Sequence, residues 1–403
     1  MLLDPRLDAN ERFRERRRHA QRRRRFRRFA LVAALVVVVA GLTLGTRPFA
    51  GSAPEGPRET SARSQLARAP SPTRRKAPTG LEPRSAPLEM RGVHLTMALA
   101  SLEGKLESYV RMRKIGLNTI EIDVKDENGE VAFAAPTVPL ARRIGASRFY
   151  YDPAAVARRA ERSGLYLIGR VVVFEDPVLA DRRPGMAIRT RAGGVWRSGT
   201  GLGWGNPYDE RVWRYDVDVA EAAVRAGFDE IMFDYVRFPT DGNLAQAVFP
   251  DSVREPRART VTRFLAYAAK RLHPLGAQVA VTVLGLAASR DLGIGQDPRL
   301  LARVVDALYP MVYPSHYAPG ELGLETPEAH PRQVVALSLV AFGRALHGRR
   351  VRLVPWLQDF SLVRAYSAAD VRAEVASARS FGARGFLLWN PSGRYTAQAL
   401  RSR

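Results

Sequence analysis

The sequence predicts a (β/α)8 TIM barrel over residues 88–403, and two patterns support this fold class. Eight short apolar runs follow one another there, at residues 91–97, 118–124, 165–174, 228–234, 278–286, 306–313, 351–357 and 384–390. Segments of helical periodicity separate most of them, and glycine often follows where such a helix would end. Eight strands alternating with helices imply a closed parallel sheet. An open doubly wound sheet is the alternative, but its glycine-rich phosphate turn is missing after the first run.

The chain begins with a strongly basic segment. Residues 1–28 contain twelve Arg and four acidic residues, which gives them +8 of the net charge of +23. Arg-rich segments often bind nucleic acid, but residues 29–46 form an uncharged apolar run just long enough to span a bilayer. A basic segment before such a run stays in the cytoplasm. We therefore expect a cytoplasmic head, a single transmembrane signal-anchor and no nucleic-acid partner.

The remaining chain is then expected on the extracytoplasmic side of the cell membrane. The small residues Gly51 and Ala53 also fit signal-peptidase cleavage, which would release a secreted protein, although the long basic segment favours an uncleaved anchor. Residues 47–87 are rich in Pro, Arg, Ser and Ala and contain few aliphatic side chains. Such a composition cannot bury enough apolar surface to fold, so it predicts a flexible linker before the barrel.

The fourth apolar run ends in charged residues, in the sequence FDEIMFDYVRFP. Catalytic groups of a TIM barrel lie at the carboxyl ends of its strands. Alternation along a strand places Met232 and Asp234 toward the barrel interior. Asp234 is therefore the predicted nucleophile or general base, with Arg237 beside it to keep it ionised. A purely structural pair of Asp234 and Arg237 is the alternative.

The second run carries three ionisable residues on one face, Glu121, Asp123 and Lys125. Such a face is difficult to explain by packing alone, because charged side chains are rarely buried without partners. Asp123 lies near the carboxyl end of this run and is the first candidate for a catalytic partner of Asp234. Asp176, just after the third run, is the second candidate.

Aromatic and polar side chains lie at other predicted strand ends and in the loops that follow. Aromatic faces with carboxylates and amides nearby suit a sugar ring, which offers C–H faces and hydroxyl groups. We therefore expect substrate contacts from Arg237, Lys125, Glu175, Trp204, Tyr313, His316, Trp356, Gln358, Asp359, Trp389 and Asn390.

These stretches resemble a family of uncharacterised bacterial proteins described as glycoside hydrolases, with a TIM barrel distantly like that of the alpha-amylase group. The matching stretches cover about residues 91–395 in order: NTIEIDVKDENGEV, GRVVVFEDPVLA, the tryptophan-rich run 196–213, GFDEIMFDYVRFP, YPMVYPSHY, PWLQDF and FLLWN. The resemblance implies a barrel and a carbohydrate substrate. In alpha-amylase-like barrels the nucleophile is an Asp ending the fourth strand, which Asp234 matches. Their general acid is a Glu on the fifth strand, which this sequence lacks, so the candidates are Asp123, Glu175, Asp176 and Asp359.

The sequence thus predicts a glycoside hydrolase that cleaves an envelope or extracellular polysaccharide with paired carboxylates. A membrane-tethered barrel that binds carbohydrate without cleaving it is the main alternative, supported by the missing fifth-strand Glu. No cofactor or metal is expected, because the usual metal-ligand spacings are absent and only six His occur. A metal-dependent hydrolase using Asp123, Asp234 and His316 is a weaker alternative.

Overall fold

The computed structural model describes residues 82–250, 255–362 and 364–401. Eight parallel strands form a closed barrel in which each strand pairs with the next and the last pairs with the first. This confirms the predicted TIM barrel. The strands are β1 Met90–Leu95, β2 Thr119–Lys125, β3 Tyr166–Val172, β4 Glu230–Asp234, β5 Gln278–Leu284, β6 Ala307–Val312, β7 in two segments (Arg352–Leu353 and Trp356–Gln358) and β8 Gly385–Trp389.

Helices flank the barrel and occupy most of the segments where helical periodicity predicts them. They are α1 Met97–Ala100, α2 Lys105–Arg111, α3 Pro139–Arg143, α4 Pro153–Arg162, α5 Pro177–Arg182, α6 Glu210–Ala226, α7 Arg257–Leu272, α8 Pro298–Leu301, α9 Pro331–Ala345 and α10 Ala368–Ser380. A short antiparallel ladder outside the barrel joins Arg189–Thr190 to Ala247–Val248.

Local sequence signals explain where the longest helix, α6, begins and ends. The Asp209 side chain accepts a hydrogen bond from the Arg211 N–H at 2.8 Å, which satisfies one of the free donors of the first turn. Gly227 ends the helix with a φ of 111°, a conformation that side chains with a Cβ rarely adopt. Val217 and Val224 lie on its buried face, so burial of an apolar stripe adds to these caps.

The barrel strands separate two hydrophobic layers. On β4, Ile231 and Phe233 join the outer layer between sheet and helices, whereas Met232 joins the inner layer with Ile168 and Tyr309. This is the alternation that the sequence predicts for the fourth strand. It leaves the side chain of Asp234, two residues after Met232, on the interior side at the carboxyl end.

The amino-terminal end of the barrel interior contains a buried ion cluster around Glu230. Its carboxyl group accepts hydrogen bonds from the hydroxyls of Tyr166 at 2.8 Å and Tyr309 at 2.7 Å. The Arg352 guanidinium donates to it at 2.7 Å. Because this buried carboxylate has both a counter-charge and hydroxyl donors, it does not carry the cost of an unpaired buried charge. We call the opposite end of the barrel, where the strands have their carboxyl ends, the mouth.

The first described residues belong to the segment predicted as the linker, and they contact the amino-terminal end of the barrel. Arg84 forms an ion pair with the buried Asp229 at 2.6 Å. The predicted head and transmembrane segment, and the linker before residue 82, lie outside the described residues. Within the described ranges, every helix is too short or too polar to cross a bilayer.

A β-bulge at the end of β2 changes the direction of Lys125. Asp123 pairs with Arg170 on β3, but Lys125 pairs with Val171, so two residues of β2 advance against one of β3. The Lys125 side chain is consequently directed to α6 and not to the interior. Its ammonium group lies 2.7 Å from Asp176 and 2.6 Å from Asp216, and none of the three side chains is exposed.

This buried triad predicts a large stability effect when its only cation is removed. Lys125→Met leaves two carboxylates without a counter-charge in an apolar shell, so we expect a loss of about 3–5 kcal/mol in the free energy of unfolding. Urea denaturation measures it. The matched Lys114→Met variant, which changes an exposed lysine, should unfold like the unmodified protein. Equal stability of both variants would contradict the role of the triad.

Candidate active site

The Arg170 guanidinium lies at the centre of the barrel mouth and joins two acids. It donates from Nη1 to Asp123 at 2.8 Å, and from Nε to Asp234 at 2.8 Å. All three side chains are almost entirely buried. Burial alone would lower the pKa of Arg170, but the Asp234 and Asp123 carboxylates outweigh it and raise this pKa well above its usual value. The guanidinium therefore stays charged between the two carboxyl groups.

The shared guanidinium also limits how far apart the two acids lie. Because both carboxyl groups bind one planar group at hydrogen-bond distance, the bound oxygens of Asp123 and Asp234 lie within about 8 Å of each other. A glycosidic bond is cleaved between carboxyl groups with separations of this order. A third acid, Glu127, lies 3.4 Å from Arg170 Nη1 on the more exposed side of the mouth.

The backbone turns sharply just after Asp234. Tyr235 has a φ of 53°, in the left-handed region that non-glycine residues rarely adopt. Its N–H donates to Asp234 Oδ1 at 2.8 Å, and the Thr282 hydroxyl donates to the same carboxyl group. Strained residues of this kind persist where surrounding contacts impose them, and they are concentrated at functional sites. The carboxylate of Asp234 is thus held by donors from β3, β5 and its own turn.

His94 on β1 connects a buried glutamate to Asp123. Its Nδ1 forms a short hydrogen bond with Glu121, and its Nε2 lies 3.7 Å from Asp123. Burial alone would lower the pKa of His94, but the adjacent Glu121 and Asp123 carboxylates raise it overall. These three residues also offer ligand atoms within 4.8 Å of one another, a spacing suited to a cation. Arg170 already supplies the positive charge beside Asp123, so we assign this trio a positioning role.

Glu175 follows β3 and differs from the other acids at the mouth. Its side chain is only 7% exposed, and none of the described residues donates a hydrogen bond to its carboxyl group. Burial raises the pKa of Glu175 to about 8, although the nearby Arg237 charge opposes this rise. Negative charge on Glu127 and Asp234 contributes in the same direction as burial. Glu175 is therefore mainly protonated at neutral pH, whereas Asp123 and Asp234 each bind the charged Arg170 guanidinium.

Aromatic side chains and unpaired polar atoms line the mouth near β6 to β8. Trp356 and Trp389 stack with ring centroids 5.6 Å apart, and Trp389 is partly exposed. The Tyr313 hydroxyl and the Trp356 indole N–H have no hydrogen-bond partner among the described residues. His316 lies against Tyr313 at 5.3 Å. Sugar hydroxyls are suitable partners for such groups.

The predicted partnership of Arg237 with Asp234 is wrong. The Arg237 guanidinium stacks on the rings of Trp204 and Tyr235, at 5.1 and 5.0 Å from their centroids. Backbone direction explains the difference, because the left-handed turn at Tyr235 directs the following residues away from the Asp234 carboxyl group. The cation that binds Asp234 is Arg170, from the neighbouring strand.

Two other predicted site residues do not lie at the mouth. Asp176 was expected as a second catalytic acid and Lys125 as a substrate contact, yet both are fully buried in the triad with Asp216. Asp176 additionally caps α5 by accepting from the Leu179 N–H at 2.8 Å. The β2 bulge and this helix cap give both residues a structural role.

Four further predicted substrate contacts are engaged by the protein itself. Trp204 has no exposed area. Gln358 is fully buried, and its side chain bonds the Ser315 N–H and the Phe360 carbonyl. Asp359 accepts two hydrogen bonds from Thr396, and Asn390 bonds the Asp359 carbonyl and Ser392. These side chains shape the loops around the mouth and offer little surface for a ligand.

Two functional residues escaped the sequence reasoning. Arg170 stands within the apolar run LYLIGRVVVF, and His94 within RGVHLTM. An isolated charged or titratable side chain inside a buried strand is the signal that identified Asp234, and the same signal was present for both.

Three solved structures are among those similar to this chain, and the first of them supports the fold. The glycoside hydrolase domain of PgaB (BpsB) from Bordetella bronchiseptica is 16% identical, with 76% of this chain and 95% of that chain covered and a TM-score of 0.53. A hypothetical protein from Ruminiclostridium thermocellum is 33% identical over 47% of this chain and 96% of its own, with a TM-score of 0.43. The beta-amylase catalytic domain of Paenibacillus polymyxa is 10% identical, with coverage of 77% and 95% and a TM-score of 0.48.

None of the curated proteins matches the sequence. A family model does match it, over residues 92–395, which is nearly the whole barrel. This match spans most of the chain and includes Asp123, Arg170, Glu175 and Asp234. The chain therefore belongs to the glycoside hydrolase family whose model is described as "Putative glycosyl hydrolase domain".

Proposed function

We propose that the barrel cleaves O-glycosyl bonds of a polysaccharide with Asp234 as nucleophile or general base and Glu175 as general acid. The observation that carries this proposal is the division of protons at the mouth. Asp234 is bound to a charged guanidinium, whereas burial raises the pKa of Glu175 to about 8. Glycoside cleavage requires one carboxyl group that gives a proton and a second one that acts as nucleophile or base. Glu175 thus supplies the acid for which the fifth strand has no residue.

The remaining residues of the mouth have supporting roles in this mechanism. Glu175 gives its proton to the leaving glycosidic oxygen while Asp234 attacks the anomeric carbon or removes a proton from the attacking water. Arg170 and His94 position the Asp123 carboxyl group near Asp234, where it can stabilise the positive charge that develops on the sugar ring. The partly exposed Trp389, which stacks on Trp356, binds the neighbouring sugar.

The proposed substrate is an envelope or extracellular polysaccharide. This location rests on the basic and apolar segments before residue 47, which predict export with membrane anchoring. The family membership supports a carbohydrate substrate. A barrel that binds carbohydrate without cleaving it remains the competing function, and it predicts no product from any substrate.

The two carboxyl roles can be separated by the choice of leaving group. Glu175→Gln should lower cleavage of the polysaccharide by about 10²–10⁴-fold but spare 4-nitrophenyl glycosides, whose leaving group needs no proton. Asp234→Asn should lower cleavage of both substrates. Reducing ends and released nitrophenolate measure the rates, after a panel of polysaccharides and nitrophenyl glycosides has identified a substrate of each kind.

Two matched variants make this result interpretable. Asp181→Asn changes a largely exposed acid paired with Arg197, and it should leave both rates unchanged. Glu127→Gln should also retain most of the activity, because Glu127 is the more exposed acid on Arg170 and is not the proton donor. Selective loss of polysaccharide cleavage in Glu127→Gln, with Glu175→Gln unaffected, would assign the acid to Glu127 and overturn the role of Glu175.

The activity should also depend on pH. Activity requires protonated Glu175, so kcat/KM should fall as pH rises through about 8. The Arg237 charge opposes the effect of burial and lowers this pKa, so Arg237→Gln should move the basic limb to higher pH. Arg237→Lys keeps the charge and should leave the limb near its original position. An unchanged limb in Arg237→Gln would show that another group sets it.

A further inference from the structure

A basic groove lies outside the barrel between α3, α5 and α6. It has a volume of about 730 Å³, and its floor is formed by Leu140, Met186 and Tyr215. Five exposed arginines surround it, with Asp218 as the one acid among its lining residues: Arg143, Arg182, Arg183, Arg211 and Arg214. Asp218 is already paired with Arg271 at 3.0 Å. The groove is therefore a concentrated patch of positive charge.

Most of these guanidinium groups have no carboxylate partner among the described residues, although they lie close together around one groove. Arg211 binds Asp209. The other four have neither an ion pair nor a side-chain hydrogen bond within the described chain. Elsewhere, surface arginines such as Arg159 and Arg263 do pair with nearby acids. Clustered like charges repel each other, and a bound anion removes this cost.

We propose that this groove binds acidic residues of a polysaccharide, through their carboxylate or phosphate groups, as a subsite distant from the cleavage point. Arginine forks suit both groups, because two parallel N–H donors match two oxygens. The inference rests on the proposed function, since it makes the substrate of that site an anionic chain.

The position of the groove fits a chain that also reaches the mouth. Glu175 directly precedes Asp176, the residue that caps the start of α5, and Arg182 and Arg183 lie at the end of the same helix. Six helical residues span about 9 Å. The arginines at the end of α5 therefore lie about the length of this short helix from the residue that follows Glu175.

Features of the groove favour a polysaccharide over two other anionic polymers. A membrane-binding surface inserts exposed aliphatic or aromatic side chains, but Met186 and Tyr215 are buried and Leu140 is only partly exposed. A single-stranded nucleic acid needs aromatic faces for its bases, and Tyr215 is 2% exposed. The groove offers charge with no stacking platform, which suits sugar acids.

Charge reversal in the full-length protein tests this proposal. The substitutions Arg182→Glu, Arg183→Glu and Arg214→Glu are placed together in an Asp234→Asn background, so binding is measured without turnover. Affinity electrophoresis through polygalacturonate at low salt should show binding weakened by at least about tenfold, and added salt should reduce the difference. Migration through neutral dextran should not change. A parallel triple change to Gln, with melting temperatures, shows whether folding is retained.

The control reverses three exposed arginines that also lack partners but lie outside the groove: Arg303, Arg349 and Arg350. This variant has the same net charge and should bind polygalacturonate within about twofold of its parent, because only local charge contacts the polymer. Equal weakening in both triple variants would overturn the proposal. So would a groove-specific loss confined to phosphatidylglycerol vesicles or to single-stranded DNA. Cleavage of neutral glycosides is measured for the groove variant without the Asp234→Asn change, and it should stay intact. Unchanged polygalacturonate binding together with intact cleavage would overturn the groove proposal and leave the catalytic proposal in place.

Discussion

The Arg170 guanidinium is the interaction on which the barrel mouth depends. A charge at this depth is costly unless it is paired, and the pairing is supplied by Asp123 on one neighbouring strand and Asp234 on the other. The three side chains consequently fix the relative positions of β2, β3 and β4 at their carboxyl ends. His94 and Thr282 extend this network to β1 and β5. Because this buried cation must be paired, the side chains around it are held in fixed positions.

The buried acids at the mouth differ from one another because only some of them contact a cation. Where a carboxyl group contacts Arg170, the cation compensates for lost hydration, and the group remains an acceptor. Where a carboxyl group is buried without such a contact, as at Glu175, the neutral form is favoured and the pKa rises to about 8. The mouth therefore contains a carboxyl group that favours its protonated form as well as two carboxyl groups bound to a cation. This difference converts a packed barrel end into a site suited to acid-assisted glycoside cleavage.

Sequence reasoning located the strands and the inward position of Asp234, because alternation with a period of two holds while a strand is regular. The prediction failed for Lys125, because a β-bulge reversed that alternation and no local residue pattern indicates such a bulge. It paired Asp234 with Arg237 through proximity in the chain, whereas Arg170 reaches it across the sheet. The raised pKa of Glu175 could not be predicted either, because it depends mainly on burial in the folded protein. Alternation along a single strand can thus be predicted from the sequence. Contacts between side chains of different strands can be identified only when the fold is known.

Infrared difference spectroscopy of the full-length protein against its Glu175→Gln variant detects directly whether Glu175 is protonated. We expect a protonated carboxyl band, absent from the variant, that persists at neutral pH and disappears near pH 8. A Glu175 band that disappears near pH 4.5, as for an ordinary glutamate, would contradict the division of protons on which the mechanism rests.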